Sequence, residues 1–134
     1  MHGVDPFLAS SASQVIDEPA SMPGGNNKGP NPLDLLCSAF GTCQEITYKL
    51  YATVMGIQLN SVSAAVKAPI DLRGLLGLAE SSEVGFNTLS AEITIDSPAS
   101  EEQLAGLKAA VDAHCPMVDT LAKELPVAVT LTRV

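Results

Sequence analysis

The sequence contains no tryptophan, and aromatic residues make up only 4% of its 134 residues. The interior must therefore be filled by Leu, Val, Ile, Ala and Met, which cysteine joins easily because an unreacted thiol behaves as a small hydrophobe. Hydrophobic residues nevertheless reach 46%, while charged residues stay at 16%. This composition is typical of a globular protein, and the length predicts a single domain over residues 1–134.

Positive charge is also scarce in this chain. There are 7 Lys and Arg residues against 15 Asp and Glu residues, which gives a formal net charge of −8. The lysines are scattered along the chain, and the arginines are Arg73 and Arg133 alone. Nucleic acid is therefore not expected as a partner, because its phosphates favour clustered basic side chains.

Targeting and membrane-spanning signals are missing from the sequence. The opening MHGVDPFLAS has no basic segment and no apolar stretch of signal-peptide length, and its glycine, Gly3, does not fit the myristoylation pattern. No run of about 18 apolar residues is present. We therefore expect a cytoplasmic protein without a membrane partner, whose cysteines are thiols rather than a disulfide scaffold.

Histidine is rare as well, since His2 and His114 are the only two. A closed zinc site needs several Cys or His ligands, and no Cys-x-x-Cys pair exists, so we expect no bound metal. A Ser or Cys hydrolase needs a histidine base, but His2 is terminal and His114 projects away from its sequence neighbour Cys115. The residues left for chemistry are the cysteines.

Two segments have the residue spacing of helices. The first covers residues 31–56, where an Asn-Pro pair suits a helix start and apolar residues recur every three or four positions. The second covers residues 100–115 and opens with the serine and glutamine of a capping box. Pro116 interrupts it, so we expect residues 116–125 to continue as another helix at a new angle, with Cys115 at or near its N-cap.

Alternating or β-rich apolar patterns indicate strands at residues 57–67, 89–96 and 126–134, and a short strand near residues 14–17. Residues 68–87 have helical and loop character with several glycines and give no firm prediction. The regular βαβ rhythm and the Gly-rich phosphate loops are both missing. The sequence therefore predicts an α+β fold, with two principal helices packed on a mainly antiparallel sheet.

The cysteines allow two interpretations at this point. Cys37, Cys43 and Cys115 all fall on or beside apolar stripes, and a thiol buried in apolar surroundings is inert packing material. Cys37 and Cys43 lie about 120° apart around one helix, so these two cannot bridge. A redox pair would have to join Cys43 to Cys115.

Three stretches together resemble the OsmC/Ohr family of organic hydroperoxide resistance proteins: GPNPLDLLCSAFGTC, then GLLGL followed by GFNTLSAEITIDSPASEEQL, then HCPMVDTL. The resemblance runs from about Asp17 to the C-terminus. The resemblance is specific to this family because it combines an Asn-Pro helix start, a cysteine in mid-helix and a later Cys-Pro. The resemblance implies an OsmC-like fold formed by an interlocked homodimer, with the long cysteine-bearing helices at its centre.

The resemblance also implies roles for two of the cysteines. Cys43 matches the peroxidatic cysteine, which becomes a sulfenic acid on reaction with a hydroperoxide, and Cys115 matches the resolving cysteine, which condenses with it to a disulfide. An external dithiol, of the lipoyl type in the family, then restores both thiols, so no bound cofactor is implied. Cys37 matches no functional position, and we interpret it as core.

The chain departs from the family at the groups that activate the peroxidatic thiol. Peroxidase members have an arginine in the N-terminal strands and a glutamate just after the Asn-Pro. Residues 1–32 of this chain contain no arginine, Leu33 stands in place of the glutamate, and an acid follows one position later, at Asp34. The remaining candidates for an activating cation are Lys28 and Arg73.

Three functions stay open from the sequence. The first is reduction of small organic hydroperoxides through Cys43 and Cys115, in oxidative-stress defence. The second is a non-catalytic dimer that binds a small hydrophobic molecule in an apolar interface pocket, and the third is a purely structural dimer module. We further expect Cys115 to be the more acidic thiol unless Lys28 or Arg73 reaches Cys43, because Cys115 sits at a helix start and Cys43 in mid-helix.

Overall fold

The computed structural model describes residues 15–78, 80 and 83–134. The elements follow the order α1 (Pro32–Met55), β1 (Ser61–Lys67), α2 (Leu72–Leu75), β2 (Ser90–Asp96), α3 (Glu101–His114) and α4 (Pro116–Ala122). The chain forms two compact units, Met1–Leu35 and Leu36–Val134. The α+β class with two principal helices and an antiparallel sheet is thereby confirmed, whereas a single domain over residues 1–134 stays a prediction.

The described part of the first unit is organised around the carboxylate of Asp17. Its oxygens accept hydrogen bonds from the backbone N–H groups of Glu18 at 2.8 Å, Lys28 at 3.0 Å and Asn26 at 3.2 Å. The N–H of Lys28 contributes most to holding the pKa of Asp17 below its ordinary value. The short strand predicted near residues 14–17 is wrong for residues 15–17, whose chain enters this turn instead, and Gln14 lies outside the described residues.

Helix α1 begins and ends where local sequence signals predict. At its start, the side chain of Asn31 accepts the N–H of Asp34 at 2.8 Å, and Asp34 in return accepts the N–H of Asn31 at 3.1 Å. At its end, Gly56 adopts a φ of +68°, and the N–H of Ile57 donates to the carbonyl of Ala52 at 2.8 Å. This is the Schellman arrangement, which satisfies a terminal carbonyl and favours glycine at the left-handed position.

Strands β1 and β2 form a two-stranded antiparallel sheet in which Ser61 is opposite Asp96 and Lys67 is opposite Ser90. The strands predicted at residues 57–67 and 89–96 are thus confirmed, apart from residues 57–60 and 89. Helix α1 also reaches β1, because the carboxylate of Glu45 accepts the N–H of Ala64 at 2.9 Å. This contact holds the helix beside the sheet.

The core of the second unit lies between α1, α3 and β1. Leu107 and Val111 of α3 are fully buried, and Cys115 at the end of that helix is 1% exposed. They pack with residues of α1, of β1 and of the turn between them, namely Tyr48, Ala52, Ile57 and Val62. The core therefore surrounds one of the cysteines and fixes the end of α3 against α1.

Among the described residues, apolar side chains stay exposed on one face of α1 and in the C-terminal segment. Ile46, Leu50 and Val54 follow one another at four-residue intervals along α1 and are 64%, 57% and 72% exposed. The strand predicted at residues 126–134 is wrong, since that segment carries no strand and Leu131 within it is 98% exposed. A strand needs a hydrogen-bonded neighbour, and among the described residues none pairs with this segment.

Candidate functional site

The structure brings two of the cysteines together. The Sγ atoms of Cys43 and Cys115 are 3.7 Å apart, although 72 positions separate the residues in sequence. Cys43 lies in the middle of α1, and Cys115 lies at the junction of α3 and α4. The third cysteine, Cys37, is a free, partly exposed residue nearer the start of α1.

Cys115 holds its place because the chain changes direction at this residue. Its N–H still donates to the carbonyl of Val111, closing α3 at 2.9 Å, while its own carbonyl accepts the N–H of Asp119 at 3.1 Å and opens α4. The backbone at Cys115 is extended, with φ −71° and ψ 114°, as expected for a residue that precedes a proline. The predicted break at Pro116, with Cys115 as the N-cap of the following helix, is confirmed.

The two sulfurs differ in accessibility. Cys115 is 1% exposed and belongs to the buried core, whereas Cys43 is partly exposed and packs against the edge of that core. A reagent in solvent therefore meets Cys43 before Cys115.

The two sulfurs also differ in acidity. Burial raises the pKa of Cys43, and the neighbouring Cys115 raises it further, while the N–H of Met117 and the hydroxyl of Thr47 offset only part of this. Burial acts in the same direction on Cys115, but the N–H groups of Val118 and Met117 and the side chains of Cys43 and Thr47 outweigh it, so its pKa is lowered. These donors act on Cys115 although its sulfur closes no capping hydrogen bond with α4. The two directions agree with the predicted order of acidity.

Thr47 is a site residue that the sequence reasoning missed. It lies four positions after Cys43 on the same face of α1, is 6% exposed, and acts on the pKa of both thiols. Its hydroxyl donates to the carbonyl of Cys43 at 2.7 Å. The spacing of four residues could have indicated that Thr47 lies next to Cys43 on one helix face. Its effect on Cys115 could not be predicted, because it depends on how α3 packs against α1.

Two of the three weaker candidates for activating Cys43, Arg73 and Asp34, have other partners for their side chains in the structure. Arg73 donates to the carboxylate of Asp71, with Nη2 at 2.6 Å from Oδ2 and Nε at 3.0 Å from Oδ1. Asp34 caps α1 through Asn31, and the N–H of Lys28 binds Asp17 in the first unit. The groups that act on the pKa of Cys43 include none of these three side chains.

An apolar groove of about 460 Å³ lies between α1, α4 and the segment before β2, and neither Cys43 nor Cys115 is among its lining residues. Phe40 lines it and precedes Cys43 by one turn of α1, while Val118 lines it and follows Cys115 by one turn of α4. Its other lining residues come from the same two helices and from the segment before β2, namely Leu36, Phe86, Asn87, Thr88, Leu89, Leu121 and Ala122. The groove can accommodate a small apolar molecule about one helical turn from Cys43 along α1 and from Cys115 along α4.

The surroundings of the pair offer few other reactive groups. His114 turns away from the sulfurs: its ring stacks on Tyr51 at a centroid distance of 5.0 Å, and its Nδ1 lies 2.7 Å from the carbonyl of Ala110. Within residues 15–78, 80 and 83–134, no group of three or more His, Cys, Asp or Glu residues could hold a metal ion. No helix in the same part of the chain is long and apolar enough to cross a membrane.

Solved structures show the same fold. An OsmC-like protein from Mycoplasma pneumoniae superimposes with a TM-score of 0.67 at 24% identity, over 80% of this chain and 70% of that one. A Legionella pneumophila protein described as an organic hydroperoxide resistance protein gives a TM-score of 0.59 at 21% identity, over 78% of this chain and 70% of that one. Both likenesses establish the OsmC fold.

Comparison at the level of sequence families agrees with the fold. No curated protein matches this sequence. A family model of OsmC-like proteins, however, matches residues 25–130, which include α1 with Cys43, both strands, and the junction at Cys115. The chain therefore belongs to the family of OsmC-like proteins.

Proposed function

We propose that this protein reduces small organic hydroperoxides with Cys43 and Cys115, as part of oxidative-stress defence. The observation that carries the proposal is the 3.7 Å separation of the two sulfurs, which brings a partly exposed thiol next to a buried one. The OsmC family membership and the description of the Legionella protein as an organic hydroperoxide resistance protein support the substrate class.

The reaction begins at Cys43, the more accessible sulfur. Its thiolate attacks the terminal oxygen of the hydroperoxide, the O–O bond breaks, and the departing alkoxide takes up a proton to become an alcohol. Cys43 is left as a sulfenic acid. Cys115 then attacks the Cys43 sulfur, the S–O bond breaks, and the hydroxyl leaves with a proton as water, so that two thiols have given two electrons and become a disulfide.

The disulfide returns to two thiols by exchange with an external dithiol, for which we propose the lipoyl type. Attack by the dithiol at the accessible Cys43 sulfur expels Cys115 as a thiolate. The lowered pKa of Cys115 makes it the better leaving group of the two. We propose that this cycle takes place in the cytoplasm, where such thiols are kept reduced.

The apolar groove supports an organic rather than an inorganic substrate. Side chains such as Phe40 and Leu121 favour the hydrocarbon part of a hydroperoxide. We propose that its polar end points from the groove toward the sulfurs, which lie about one helical turn further along α1 and α4. Hydrogen peroxide has no apolar part, so the groove adds nothing to its binding free energy. We therefore expect cumene hydroperoxide to be reduced faster than hydrogen peroxide.

The proposal is tested by turnover with cumene hydroperoxide and dihydrolipoamide. The wild type should consume peroxide and pass through a state with an intramolecular Cys43–Cys115 bond. Cys43→Ser should abolish turnover, Cys115→Ser should react once and accumulate a Cys43 sulfenic acid, and the matched control Cys37→Ser should keep wild-type activity. Equal peroxide reduction by Cys43→Ser and wild type would refute the assignment.

The same groove supports a second candidate function, the binding of a small hydrophobic molecule without catalysis. In that case the sulfurs take no part in chemistry. A wild type that is inert with every dithiol offered, while an apolar ligand raises its melting temperature, favours this function over the first. Phe40→Ala should then weaken the stabilisation by the ligand, because Phe40 lines the groove.

We also propose that the protein is a homodimer, with a second copy covering the exposed stripe of Ile46, Leu50 and Val54. Such a stripe can pair with its own copy around a twofold axis, and the apolar segment 126–134 has the alternation of a strand that a second chain could pair. Sedimentation at micromolar concentration should show one dimeric species. Leu50→Glu should dissociate it, whereas Ala113→Glu at an exposed position of α3 should not; a folded wild-type monomer would refute the proposal.

A further inference from the structure

The side chain of Thr47 places a buried hydroxyl beside the cysteine pair. Thr47 is 6% exposed and follows Cys43 by four positions, so the two side chains are neighbours on one face of α1. The Sγ of Cys115 lies 3.7 Å from that of Cys43. The hydroxyl therefore adjoins the pair from the helix that carries Cys43, in a core that water does not reach easily.

The hydrogen bond that this hydroxyl makes is one that the helix does not need. The hydroxyl donates to the carbonyl of Cys43 at 2.7 Å. Within α1 the same carbonyl also accepts the N–H of Thr47, because an α-helix pairs each carbonyl with the N–H four residues later. A carbonyl oxygen has two lone pairs, so it stays hydrogen-bonded when the hydroxyl turns away. The hydroxyl can therefore donate to another acceptor without leaving a buried backbone group unpaired.

A thiolate is the stronger acceptor for that hydroxyl. A hydrogen bond to a charged acceptor is about twice as strong as one between neutral groups, so an ionised sulfur competes well with the carbonyl of Cys43. A neutral thiol does not, because it can donate its own S–H to the hydroxyl oxygen while the hydroxyl keeps the carbonyl. The two protonation states of the pair thus favour two different orientations of one O–H bond.

The charged and titratable side chains on the surrounding elements have other partners or stay neutral in the described part of the chain. Lys108 is paired with Asp112 on α3, and Lys123 with Asp119 on α4. Burial raises the pKa of Tyr48, which therefore stays neutral. The strand residues that pack in this core are apolar. The remaining titratable groups and their partners are Glu45 with the N–H of Ala64, Tyr51 with the ring of His114, and the Nδ1 of His114 with the carbonyl of Ala110.

We propose that the hydroxyl of Thr47 moves its hydrogen bond from the carbonyl of Cys43 to whichever sulfur of the pair ionises, and so stabilises the thiolate; this inference rests on the proposed function. The change requires rotation about the Cβ–Oγ bond of Thr47, which keeps its own proton throughout. Burial raises the pKa of both thiols, and Thr47 acts in the opposite direction on both, as a donor to either thiolate does. The hydroxyl works in the same way whichever thiol loses its proton first.

The proposed cycle uses a thiolate at two stages, and the hydroxyl serves both. The first is the Cys43 thiolate that attacks the hydroperoxide, and the second is the Cys115 thiolate that the external dithiol expels from the disulfide. Thiol enzymes commonly stabilise such an anion with a histidine or a cation next to the sulfur. In this chain a neutral hydroxyl on the next turn of α1 takes that role.

The test follows ionisation of the reduced pair by the ultraviolet absorbance of thiolates as pH is raised, with the Cys37→Ala variant as reference. Adding Thr47→Val removes the hydroxyl at nearly equal size and should raise the midpoint of the first ionisation by about one pH unit. Thr47→Ser keeps the hydroxyl and should titrate like the reference. The matched control is Thr53→Val, because the exposed hydroxyl of Thr53 makes the same bond to the carbonyl of Lys49, at 2.8 Å, and its loss should leave the midpoint unchanged.

A second readout is the rate of sulfenic acid formation at Cys43 in a single turnover with cumene hydroperoxide, measured by dimedone trapping and mass spectrometry. Below the midpoint, Thr47→Val should react about ten-fold more slowly than the reference, because a pKa higher by about one unit lowers the thiolate fraction about ten-fold. The two rates should converge above the midpoint, where both proteins are ionised. A purely structural defect would slow the reaction at every pH.

Thr47→Val that titrates like the reference would overturn the inference, and so would Thr47→Ser or Thr53→Val that shifts the midpoint as far as Thr47→Val. The titration needs no peroxide, so it separates this inference from the proposed function. If the midpoint moves as described but the reference is not oxidised by hydroperoxide, the function is wrong and the donor is supported. If peroxide reacts and Thr47→Val changes neither midpoint nor rate, the function stands and the donor is wrong. Thermal melts show which variants are folded, and Thr47→Ala, which also lacks the hydroxyl, replaces Thr47→Val if the latter is not.

Discussion

Oxidation of the cysteine pair should stabilise the protein by an amount that follows from its position in the chain. A bond between Cys43 and Cys115 closes a loop of 72 residues, which removes conformational entropy mainly from the unfolded chain. The loop-closure relation gives about 4 kcal/mol at 25 °C for this length. The gain is an upper value, because the sulfurs must approach from 3.7 Å to a bond length of about 2.05 Å, and any strain in α1 or at the start of α4 reduces it.

The assay compares guanidinium unfolding of diamide-oxidised and reduced protein at one protein concentration, since assembly also affects the midpoint. The oxidised form should unfold at clearly higher denaturant, and its melting temperature should rise by about 10–20 °C for a domain of this size. Cys37→Ala should behave like the wild type, and Cys115→Ala should show no gain. A peptide map that shows the Cys43–Cys115 bond together with an unchanged midpoint would refute the entropic argument, and a bond to Cys37 would refute the geometry.

The remaining predictions concern the core, the helix start and the titration of the site. Leu107→Ala should lower the free energy of unfolding by about 3 kcal/mol, because Leu107 is fully buried, as measured by urea unfolding. Leu78→Ala should change it by less than about 0.5 kcal/mol, because Leu78 is 73% exposed and lies outside the proposed dimer surfaces. Ser100→Ala removes the capping box of α3 and should cost about 1 kcal/mol in the same assay; an unchanged midpoint would argue against the cap. With ¹³C-labelled cysteine, the Cβ resonance of Cys115 should titrate at lower pH than that of Cys43, since the pKa of Cys115 is lowered and that of Cys43 raised; the reverse order would contradict the described electrostatics.

Helix limits were predictable from the sequence because the signals that set them are local. The Asn-Pro start of α1, its end at Gly56, the capping box at Ser100 and the break at Pro116 each depend on residues within one helical turn. Such short-range hydrogen bonds form in the same way whatever the rest of the chain does. The predictions at these positions agree with the structure for that reason.

The C-terminal segment shows why alternation alone does not predict a strand. Val127, Val129 and Leu131 alternate with smaller or polar residues, yet they are 82%, 89% and 98% exposed. Alternation indicates that one side of a segment can be buried, but a strand also needs a neighbouring backbone, which no local pattern specifies. The same reasoning applies to α1. It carries apolar residues on most of its faces, so the sequence did not reveal which face α3 covers.

The site was predictable only in part, because its members are far apart in sequence. The pairing of Cys43 with Cys115 followed from the family resemblance together with the exclusion of a bridge within α1. The roles of Thr47 and of the N–H groups of Met117 and Val118 depend on the packing of α3 and on the direction in which α4 leaves Cys115. Packing of this kind is set by the whole core, so the sequence indicated the position of Cys115 at a helix start but not the other groups that act on the two pKa values.

If the proposed reaction takes place, the arrangement of the two sulfurs would also limit damage by excess peroxide. A sulfenic acid that meets a second hydroperoxide is oxidised irreversibly to a sulfinic acid, so the lifetime of the proposed Cys43 sulfenic acid would decide how much protein is inactivated. The Sγ of Cys115 is only 3.7 Å from that of Cys43 and is held by the core, so a disulfide could form after a small movement of the two side chains. Because Cys115 is itself buried, a second peroxide reaches it less easily than it reaches Cys43. In the proposed cycle, the preformed contact would therefore favour disulfide formation over irreversible oxidation at both sulfurs.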